Sequence, residues 1–411
     1  MNRIPVSVLG ATGVVGQRFV RRLASHPYFD LRFIAASERN VGKTYADACE
    51  WRLPGIPYAG FAGQKLLACD PDMAAAPIVF SALDANSARE IEPLFAAAGC
   101  LVFSNAAAFR MEEDVPLVMP EINPDHLQLL HLQRARRGWT GGIVCNPNCT
   151  TTISLGAIGP LHRAFGAEGV LLTSMQALSG AGYPGVSAMD STGNVIPYIA
   201  GEEAKVEAES RRILGTLSNG FVKDADFQIS AQCNRVPVLD GHTICLSLRL
   251  SGRPDAAEIA KALDSFVAPT ATMALPSAPN RFISLRNEPD RPQPRRDVED
   301  DSGMTMHVGR IRNCPVMGVK LVVLGHNVER GAAGGSLLNA ELAVVSGFLP
   351  GFRPADRHGI VDTGDKMAKR LKTFRELQYT SLVPNPETRG QDVSASSNDM
   401  VKELETWTQH V

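Results

Sequence analysis

The sequence predicts an α/β fold, in which a doubly wound and mostly parallel sheet is followed by a second, mixed sheet. Three observations lead to this prediction: a glycine-rich turn directly after the first strand, an alternation of short apolar strands with helical segments up to about residue 150, and longer strands with polar faces beyond it. The chain has 411 residues, of which 44% are hydrophobic and 20% charged. This ordinary globular composition allows a large core and suggests two or three domains.

The first part of the chain alternates between apolar strands and helices. Residues 5–9 are predicted to form a strand that leads into GATGVVG, and residues 14–24 a helix, because their apolar side chains recur at helical spacing. The further elements predicted here are strands at 31–37, 76–83 and 100–106 and a helix at 86–98. This pattern predicts a Rossmann-type first domain over residues 1–148.

Beyond residue 150 the strands become longer. In residues 169–180 and 241–252, polar side chains partly alternate with apolar ones. We therefore expect an α+β catalytic domain over residues 149–328, with a mixed sheet that has one face available as a subunit interface. The segment 285–302 is rich in proline and charge, and we expect it to be a surface excursion.

The C-terminal part contains one strongly apolar helix and a polar extension. Residues 334–349 form the helix, which we expect to return to the first domain because its apolar surface needs a partner. Residues 351–411 are more polar, and the sequence assigns them no role.

Charge and cysteine content exclude several classes of protein. Lys and Arg number 41 against 43 Asp and Glu, so the formal net charge of −2 gives no electrostatic footprint for nucleic acid or an anionic membrane. No apolar run approaches the roughly 20 residues that span a bilayer, and the N-terminus lacks the features of a signal peptide. The eight cysteines include no CxxC pair, and no metal-ligand spacing is present. We therefore expect a cytoplasmic protein with mostly free thiols and no bound metal.

A glycine-rich turn joins the first strand to its helix. Gly10, Gly13 and Gly16 form a GxxGxxG variant of the dinucleotide fingerprint, in which glycines allow a tight turn and the close approach of backbone to a pyrophosphate. The helix N-terminus then offers unpaired N–H groups to the anion. The strand–turn–helix context favours nucleotide binding over a merely tight turn.

The end of the second predicted strand bears on the choice of cofactor. An acidic side chain there would bind the ribose 2′-hydroxyl of NAD, whereas cations suit the 2′-phosphate of NADP. Ser37, Arg39 and Lys43 offer a hydroxyl and two positive charges, although Glu38 lies among them. We therefore favour NADP, with an ordinary solvated charge cluster as the alternative.

The run CNPNCTTTISLGAIGPL contains the strongest nucleophile candidate. Asn146, Pro147 and Asn148 are typical of a turn, and Thr150 begins a predicted helix, so Cys149 lies at or just before the first helical turn. A thiol there gains thiolate character from the helix dipole and the free N–H groups. Such a thiolate can attack a carbonyl carbon, although an isolated cysteine is more often structural.

Two polar residues flank the predicted turn before residues 241–252. His242 follows an Asp-Gly turn at a strand start and is the best acid/base candidate among nine histidines, with a histidine bonded only to backbone as the alternative. Arg235 lies in an apolar strand, where an unpaired cation is costly. Its expected partner is an anion, either on a ligand or on a protein carboxylate.

Three further segments are polar in apolar surroundings. Gln176 precedes a glycine-rich loop, and Asn327 lies in a loop before the last helix. Glu202 and Lys205 are three residues apart and share one face of a predicted helix. By themselves they are most typical of an exposed helical ion pair.

Together these segments resemble the aspartate-β-semialdehyde dehydrogenase family, in the branch found in archaea and fungi. The resemblance covers nearly all of residues 4–350 and rests on motifs that occur in family order: GATGVVGQRF, SNAAAFR, VPLVMPEIN, NPNCTT, QALSGAGYPG, GEEAKVE, NRVPVLDGHT, RNEPDRPQPR and HNVERGAAGGSLL. Two departures stand out. SNAAAFR has alanines where many relatives are more polar, and residues 351–411 extend beyond the final family helix.

The resemblance implies a role for each candidate residue. The implied catalytic residues are Cys149 as nucleophile, His242 as acid/base and Gln176 as the residue that orients the acyl intermediate. The implied substrate-binding residues are Arg235 for the α-carboxylate, Glu202 for the amine, and Lys205, Asn148 and Arg110 for the phosphate. The implied cofactor-binding residues are Gly10, Thr12, Gly13, Val14, Val15, Gly16, Ser37, Arg39, Lys43, Ser179, Gly180 and, at the nicotinamide amide, Asn327.

The resemblance also implies a reaction and an assembly. The reaction is the NADP-dependent reductive dephosphorylation of L-aspartyl-4-phosphate to L-aspartate-4-semialdehyde through a cysteine thioester, a step toward lysine, methionine and threonine. The assembly is a homodimer or homotetramer built through the second domain's sheet. One alternative is another cysteine-dependent acyl reductase on the same scaffold, such as malonyl-CoA reductase or N-acetylglutamyl-phosphate reductase. The remaining alternative is a catalytically silent, NADP-binding regulatory protein.

Overall fold

The computed structural model describes residues 3–218, 220–269 and 275–349. Its first sheet consists of six strands: β1 (Ile4–Leu9), β2 (Phe29–Ala36), β3 (Leu67–Ala68), β4 (Ile78–Ser81), β5 (Leu101–Ser104) and β6 (Gly142–Cys145). All neighbouring pairs are parallel, in the order β3–β2–β1–β4–β5–β6. The chain direction across the sheet therefore reverses between β1 and β4, and such a switch point is where α/β sheets bind nucleotides.

Helices cover this first sheet, which explains why its central strands are continuous apolar runs. The helices are α1 (Val14–Leu23), α2 (Tyr45–Ala48), α3 (Pro71–Ala74), α4 (Ala85–Ala97) and α5 (Leu129–Arg137). Every residue of β4, β5 and β6 is buried. A parallel sheet with both faces covered selects such runs instead of alternating ones.

The second sheet is mixed, which confirms the predicted fold class. The remaining strands are β7 (Ala167–Gln176), β8 (Thr216–Ser218), β9 (Phe221–Lys223), β10 (Gln228–Arg235), β11 (His242–Leu250), β12 (Ile283–Arg286), β13 (Met306–Cys314) and β14 (Gly318–Gly325). Six of them form a sheet in the order β10–β7–β11–β14–β13–β12, and β8 pairs only with β9. The β10/β7 and β12/β13 pairs are parallel, and the other three are antiparallel.

Three helices pack against the inner face of the second sheet, and the most buried of them begins at Cys149. The remaining helices are α6 (Cys149–Phe165), α7 (Ala188–Ser191), α8 (Glu202–Ile213), α9 (Ala256–Asp264), α10 (Pro294–Asp297) and α11 (Gly334–Val345). Residues 150–161 of α6 are all buried, against α8, α9 and the strands β11 and β14. Side chains on β7 and β11 alternate between buried and more exposed, so the opposite face of this sheet is open and carries exposed Leu171 and Cys245.

The segment 285–302 is mostly exposed, as its composition predicts, but a few of its residues anchor it in the fold. Asp297 in this segment is fully buried and accepts hydrogen bonds from the guanidinium group of Arg291. A Cβ atom at Gly241 would lie 2.8 Å from Val298 Cγ2, so the segment packs directly against the turn before β11. The segment is thus a surface excursion that is anchored through the buried carboxylate of Asp297, and composition alone does not reveal that pairing.

Helix α11 contacts the first sheet. All of its residues are buried, and it packs on β4 and β5. Its Asn339 side chain donates to the Val118 carbonyl at 3.1 Å, and His26 Nε2 lies 2.8 Å from Glu341 Oε1. The last helix therefore helps to cover the first sheet, while the domain boundaries at residues 148 and 328 stay a prediction. Residues 351–411 lie outside the described residues.

Candidate active site

The Cys149 thiol lies at the N-terminus of α6, beside an imidazole. Asn148 caps this helix, because its Oδ1 atom accepts hydrogen bonds from the backbone N–H groups of Thr150 at 2.8 Å and Thr151 at 3.1 Å. His242 is the first residue of β11, and its Nε2 atom lies 3.3 Å from Cys149 Sγ. A thiol within hydrogen-bonding distance of an imidazole is the arrangement of a cysteine nucleophile.

A π-helical turn, Glu329–Ala333, lies against the thiol. A Cβ atom at Gly331 would lie 2.7 Å from Cys149 Cβ and 3.0 Å from its Cα, so only glycine allows this contact. Such π-helical turns occur often at functional sites. The sequence shows several glycines after Asn327, but this contact between distant segments carries no sequence signal.

Burial sets the protonation of the thiol and the imidazole. Desolvation, with a smaller contribution from the Glu202 carboxylate, raises the pKa of Cys149 to about 12 against the opposing effects of Arg110 and Arg235. Desolvation also lowers the pKa of His242 well below its usual range, with Arg235 contributing. Both groups are therefore neutral at neutral pH in the ligand-free site. Burial therefore opposes the thiolate character that the sequence predicts from the helix start, and that character stays a prediction.

Arg235 completes one side of the site at the end of β10. It is nearly buried, and its Nη1 atom donates to the Ala177 carbonyl at 2.7 Å. A Cβ atom at Gly180 would lie 2.9 Å from Arg235 Nη1 and 3.1 Å from His242 Cε1. Glycine at position 180 therefore leaves room for a guanidinium group and an imidazole to converge on one space.

Two carboxylates of α8 organise the other side. Glu202 Oε1 accepts from Asn148 Nδ2 at 3.0 Å and from Thr150 Oγ1 at 3.2 Å. Glu209 Oε2 accepts from the backbone N–H of Asn148 at 2.6 Å, and its Oε1 atom accepts from Arg110 Nη1 at 3.0 Å. The sequence analysis missed Glu209, although it lies seven residues after Glu202, on the same helical face. Arg110 is thus an internal ion-pair partner in this structure.

Gln176 and Lys205 lie near these groups without joining their hydrogen bonds. Gln176 is the last residue of β7, is buried, and donates from Nε2 to Ser174 Oγ at 3.2 Å. Lys205 is half-buried on α8, and within the described ranges its ammonium group has no hydrogen-bond or ion-pair partner. Lys205 therefore does not form the exposed helical ion pair with Glu202 of which the two residues, taken by themselves, are typical.

The glycine-rich turn has the geometry of a dinucleotide site. Gly10 has a φ of +72°, and a Cβ atom there would lie 2.7 Å from the Ala82 carbonyl oxygen. A Cβ atom at Gly16 would lie 2.1 Å from the Gly10 carbonyl oxygen. Helix α1 begins at Val14, and no side chain caps it at Gly13. Its first N–H groups are thus left for an anionic ligand.

The residues predicted to bind the 2′-phosphate lie together at the end of β2. Ser37, Arg39 and Lys43 are all exposed, and Lys43 Nζ donates to Asn40 Oδ1 at 3.1 Å. Arg39 has no hydrogen-bond or ion-pair partner among the residues that the structure describes. The cluster fits a phosphate, and the choice between that role and a solvated cluster stays a prediction.

Asn327 is hydrogen-bonded to two segments, the turn before His242 and the glycine-rich loop after β7. Its Oδ1 atom accepts from the backbone N–H of Gly241 at 2.9 Å, and its Nδ2 atom donates to Ser179 Oγ at 2.9 Å. Asn327, Ser179 and Gly180, which were predicted from separate segments, are thus brought together around the catalytic turn.

A buried carboxylate that the sequence analysis did not single out links α1 to the π-helical turn. Glu329 is fully buried and pairs with three arginines of α1: Arg18 at 3.2 Å, Arg21 at 2.6 Å and Arg22 at 2.5 Å. Helix α1 is the helix that follows the glycine-rich turn, and Glu329 lies two residues after Asn327. The ion pairs therefore connect the nucleotide-binding helix to the segment that contacts Cys149.

The described part of the chain contains neither a membrane-spanning helix nor a metal-binding cluster. None of its helices combines the length and apolar character needed to cross a membrane. It also contains no group of three or more His, Cys, Asp or Glu side chains placed to hold a metal ion.

Comparison with known proteins gives a consistent result along the chain. Residues 5–130 match the family model of the semialdehyde dehydrogenase NAD binding domain, and residues 158–330 match that of the semialdehyde dehydrogenase dimerisation domain. An aspartate-semialdehyde dehydrogenase of Archaeoglobus fulgidus is 49% identical over 346 residues, which cover 83% of this chain and 98% of the relative. One of Trichophyton rubrum is 44% identical over 352 residues, or 83% of this chain and 97% of the relative.

Solved structures show the same similarity. The crystal structure of aspartate semialdehyde dehydrogenase with NADP from Candida albicans has a TM-score of 0.77 at 38% identity, covering 84% of this chain and 99% of that one. Aspartate semialdehyde dehydrogenase II from Vibrio cholerae, complexed with ASA, has a TM-score of 0.65 at 26% identity, with 84% and 99% covered.

Proposed function

The chain belongs to the aspartate-semialdehyde dehydrogenase family, and on that premise we propose that it reduces L-aspartyl-4-phosphate to L-aspartate-4-semialdehyde with NADPH and releases phosphate. The observation that carries the proposal is the Cys149 thiol at the start of α6, 3.3 Å from His242 Nε2 and close to Arg235. A nucleophilic thiol divides the reaction into an acyl transfer and a reduction, each easier than the combined step.

The first half of the reaction transfers the acyl group to sulfur. Cys149 Sγ attacks the acyl carbon, the bond from that carbon to the phosphate oxygen breaks, and a thioester remains.

NADPH, when bound, supplies the hydride that reduces this thioester. The bond from carbon to sulfur then breaks, which releases the semialdehyde and restores Cys149. His242 Nε2 lies 3.3 Å from this sulfur, and we propose His242 as the acid/base group that manages its proton.

The surrounding residues fit the three polar ends of the substrate. Arg235 uses one nitrogen for the Ala177 carbonyl, which leaves the rest of its fork for the α-carboxylate. Glu202 uses one oxygen for Asn148 and Thr150, and its charge suits the substrate ammonium group. For the phosphate we propose Lys205 and Asn148 as direct contacts. Arg110, whose charge is shared with Glu209, contributes from behind them.

The cofactor site extends from the glycine-rich turn to Asn327. The close approach of Gly10 to Ala82 and of Gly16 to Gly10 leaves a side-chain-free surface beside the uncapped start of α1, which fits a pyrophosphate. Thr12, Val14 and Val15 belong to this turn and helix start, and Gly180 lies beside His242. For the 2′-phosphate of NADP we propose Ser37, Arg39 and Lys43.

We also propose a homodimer, or a homotetramer built from it, through the open face of the second sheet. The match to a dimerisation domain over residues 158–330 and the exposed side chains on β7 and β11 support this assembly. All eight cysteines are free thiols, which suits the reducing conditions of the cytoplasm.

A spectrophotometric assay tests the proposed function. Purified protein is offered NADP, phosphate and L-aspartate-4-semialdehyde, and separately NADPH with malonyl-CoA. We expect phosphate-dependent NADPH formation in the first assay and no NADPH consumption in the second. Turnover of malonyl-CoA without turnover of the semialdehyde would replace the proposal with a CoA-linked acyl reductase, and inactivity in both assays would favour a silent regulatory protein.

The nucleophile is tested by substitution and mass spectrometry. Cys149→Ser should lower turnover by several orders of magnitude, because a serine hydroxyl is almost entirely protonated at neutral pH. Cys145→Ser is the control, since Cys145 is a free thiol four residues earlier in the chain that lies on β6. Brief exposure of the wild type to semialdehyde and NADP without phosphate should leave an acyl adduct on Cys149. An adduct on Cys145 instead would move the nucleophile there.

A further inference from the structure

The Glu209 carboxylate joins two segments that are assigned to the phosphate half of the site. Its Oε1 atom accepts from Arg110 Nη1 at 3.0 Å, and its Oε2 atom accepts from the backbone N–H of Asn148 at 2.6 Å. Both oxygens of this buried carboxylate are therefore in use. Lys205 lies four residues earlier on α8 and hence on the same helical face. Glu209 is thus bonded to, or one helical turn from, each of the three residues proposed for the phosphate.

The Arg110 guanidinium group is held from two sides and still has an unused donor. Besides its bond to Glu209, it donates from Nη2 to the Asn105 carbonyl at 2.7 Å. Arg110 is buried, and its Nε–H has no hydrogen-bond partner among the described residues. A buried charged donor without an acceptor costs free energy. The group is therefore fixed in orientation and retains hydrogen-bonding capacity for an anion.

The two donors explain why position 209 carries a glutamate. A backbone N–H and a guanidinium group can only donate, so a partner that bonds to both has to offer two acceptor atoms. Glutamine offers one acceptor, and its NH2 group would face the second donor. Aspartate offers two acceptors on a side chain that is one methylene shorter. Glutamate combines two acceptors with the reach that this bridge requires.

We propose that Glu209 is a positioning residue for phosphate, which holds Arg110 and the Asn148 peptide in the orientation that binds this anion. The inference rests on the proposed function and names the residue that assembles its phosphate half. Glu209 acts through these two groups and does not itself touch the substrate. Arg110 follows β5, Asn148 caps α6 and Glu209 lies on α8, so one carboxylate brings three elements into one site. The half of the site assigned to the α-carboxylate, around Arg235, does not depend on this bridge.

Steady-state kinetics of phosphate-dependent semialdehyde oxidation separates this role from a general structural one. We expect Glu209→Gln to raise the KM for phosphate about 10- to 100-fold, the worth of a hydrogen bond to a charged group, and to change the KM for the semialdehyde little. Glu209→Asp keeps the charge and so does not leave Arg110 without a counter-ion. Its shorter side chain should nevertheless raise the KM for phosphate as well.

Glu207→Gln is the matched control on the same helix. Glu207 Oε1 accepts a hydrogen bond from the backbone N–H of Ala231 at 2.9 Å, and an amide oxygen can replace this single acceptor. We expect both KM values of this variant to equal those of the wild type. Equal increases of both KM values in Glu209→Gln, or a wild-type KM for phosphate in Glu209→Asp, would overturn the proposal.

A double-mutant cycle tests whether Glu209 acts through Arg110. Once Arg110→Gln has removed the guanidinium group, Glu209→Gln should raise the KM for phosphate by much less than it does in the wild type, because coupled residues are not additive. An equal increase in both backgrounds would mean that the two residues act independently, which contradicts the proposal.

Protection of Cys149 by inorganic phosphate gives a readout without turnover. Alkylation by iodoacetamide is followed by mass spectrometry of the Cys149 peptide while the phosphate concentration is varied. We expect phosphate to slow alkylation of the wild type, and the concentration for half-protection to rise about 10- to 100-fold in Glu209→Gln. An unchanged concentration would refute the proposal. If the protein does not oxidise the semialdehyde but protection shifts as expected, the proposed function fails and the role of Glu209 stands.

Discussion

At the scale of single residues, the site depends on what each polar group can still bind after its contacts within the protein. One guanidinium nitrogen of Arg235 already donates to the Ala177 carbonyl, whereas Lys205 has no partner among the described residues. Glu202 already accepts a hydrogen bond from Asn148, and Arg110 already donates one to Glu209. Under the proposed function, the hydrogen bonds and charges that remain available would bind a substrate with two anionic ends and one cationic end, and substitutions at these residues should change that binding.

Arg235→Lys should be far from conservative. An ammonium group cannot reproduce the planar fork that binds a carboxylate with two parallel hydrogen bonds. We expect a higher KM for the semialdehyde and a kcat lower by ~100-fold, the effect of misplacing a reacting carbon by about 1 Å. The KM for phosphate should change much less. Steady-state kinetics with each substrate varied in turn provides the measurement, and exposed Arg249→Lys on β11 is the control. Equal damage to both KM values would mean that the anion assignments are exchanged.

Arg39→Ala should weaken binding of NADP and spare NAD. The Arg39 guanidinium has no partner among the described residues, so its charge is available to a 2′-phosphate. Loss of a charge-assisted hydrogen bond worth about 1.5–3 kcal/mol should raise the KM for NADP by roughly tenfold or more. Arg32→Ala is the control, because Arg32 is an exposed β2 arginine that already pairs with Asp30. If both cofactors lose affinity equally, Arg39 does not select between them.

Glu92 should make stability depend on pH. It is fully buried, accepts from Ser104 Oγ at 2.7 Å, and burial raises its pKa to about 7. A carboxyl whose folded pKa exceeds its unfolded pKa favours the folded state at low pH, and this contribution is lost as pH rises from about 4.3 toward 7. We expect the free energy of unfolding of Glu92→Gln, relative to that of the wild type, to be about 2–3 kcal/mol higher at pH 8 than at pH 5. Denaturant unfolding at both values is the measurement, with exposed Glu90→Gln as control. A difference that does not change with pH would contradict the assignment.

At the scale of elements, the sequence predicts those whose signal is local. Gly10 and Gly16 mark the turn between β1 and α1, because glycine is required where backbone approaches backbone. Asn148 and Thr150 likewise mark the start of α6, since capping is a local interaction. The exposure of residues 285–302 was predicted but the buried pairing of Asp297 was not, and Glu209 and Glu329 were missed because their partners lie on other elements. Only the folded chain brings those charges together.

The ion pairs between α1 and the π-helical turn should be essential to stability. Glu329→Gln leaves three arginines without their common buried counter-charge, and breaking a buried pair in this way costs about 3–5 kcal/mol. We also expect weaker NADP binding, because α1 and Asn327 lose their link. Unfolding and cofactor titration measure the two effects. Glu341→Gln is the matched control, since an amide oxygen can still accept from His26 and Ser277. Similar losses in both variants would argue against a special role for Glu329.

At the scale of the whole molecule, the open face of the second sheet should determine the oligomeric state. Leu171 on β7 is 49% exposed on this face, so Leu171→Asp should place a charge in the proposed interface. We expect this variant to sediment as a monomer in analytical ultracentrifugation at concentrations where the wild type is a dimer or tetramer. Val267→Asp, at a residue that is 66% exposed after α9, should leave the assembly unchanged. A Leu171→Asp protein that assembles like the wild type would move the interface elsewhere.

The return of α11 to the first sheet has a consequence for how the protein is made. Strands β4 and β5 are complete by residue 104, but the helix that packs on them spans Gly334–Val345. A ribosome therefore has to synthesise the entire second sheet before the nucleotide-binding sheet gains its last cover. A nascent chain arrested before residue 334 would still expose apolar surface that α11 later buries. The ability to bind cofactor should accordingly appear late in translation, almost together with the ability to assemble.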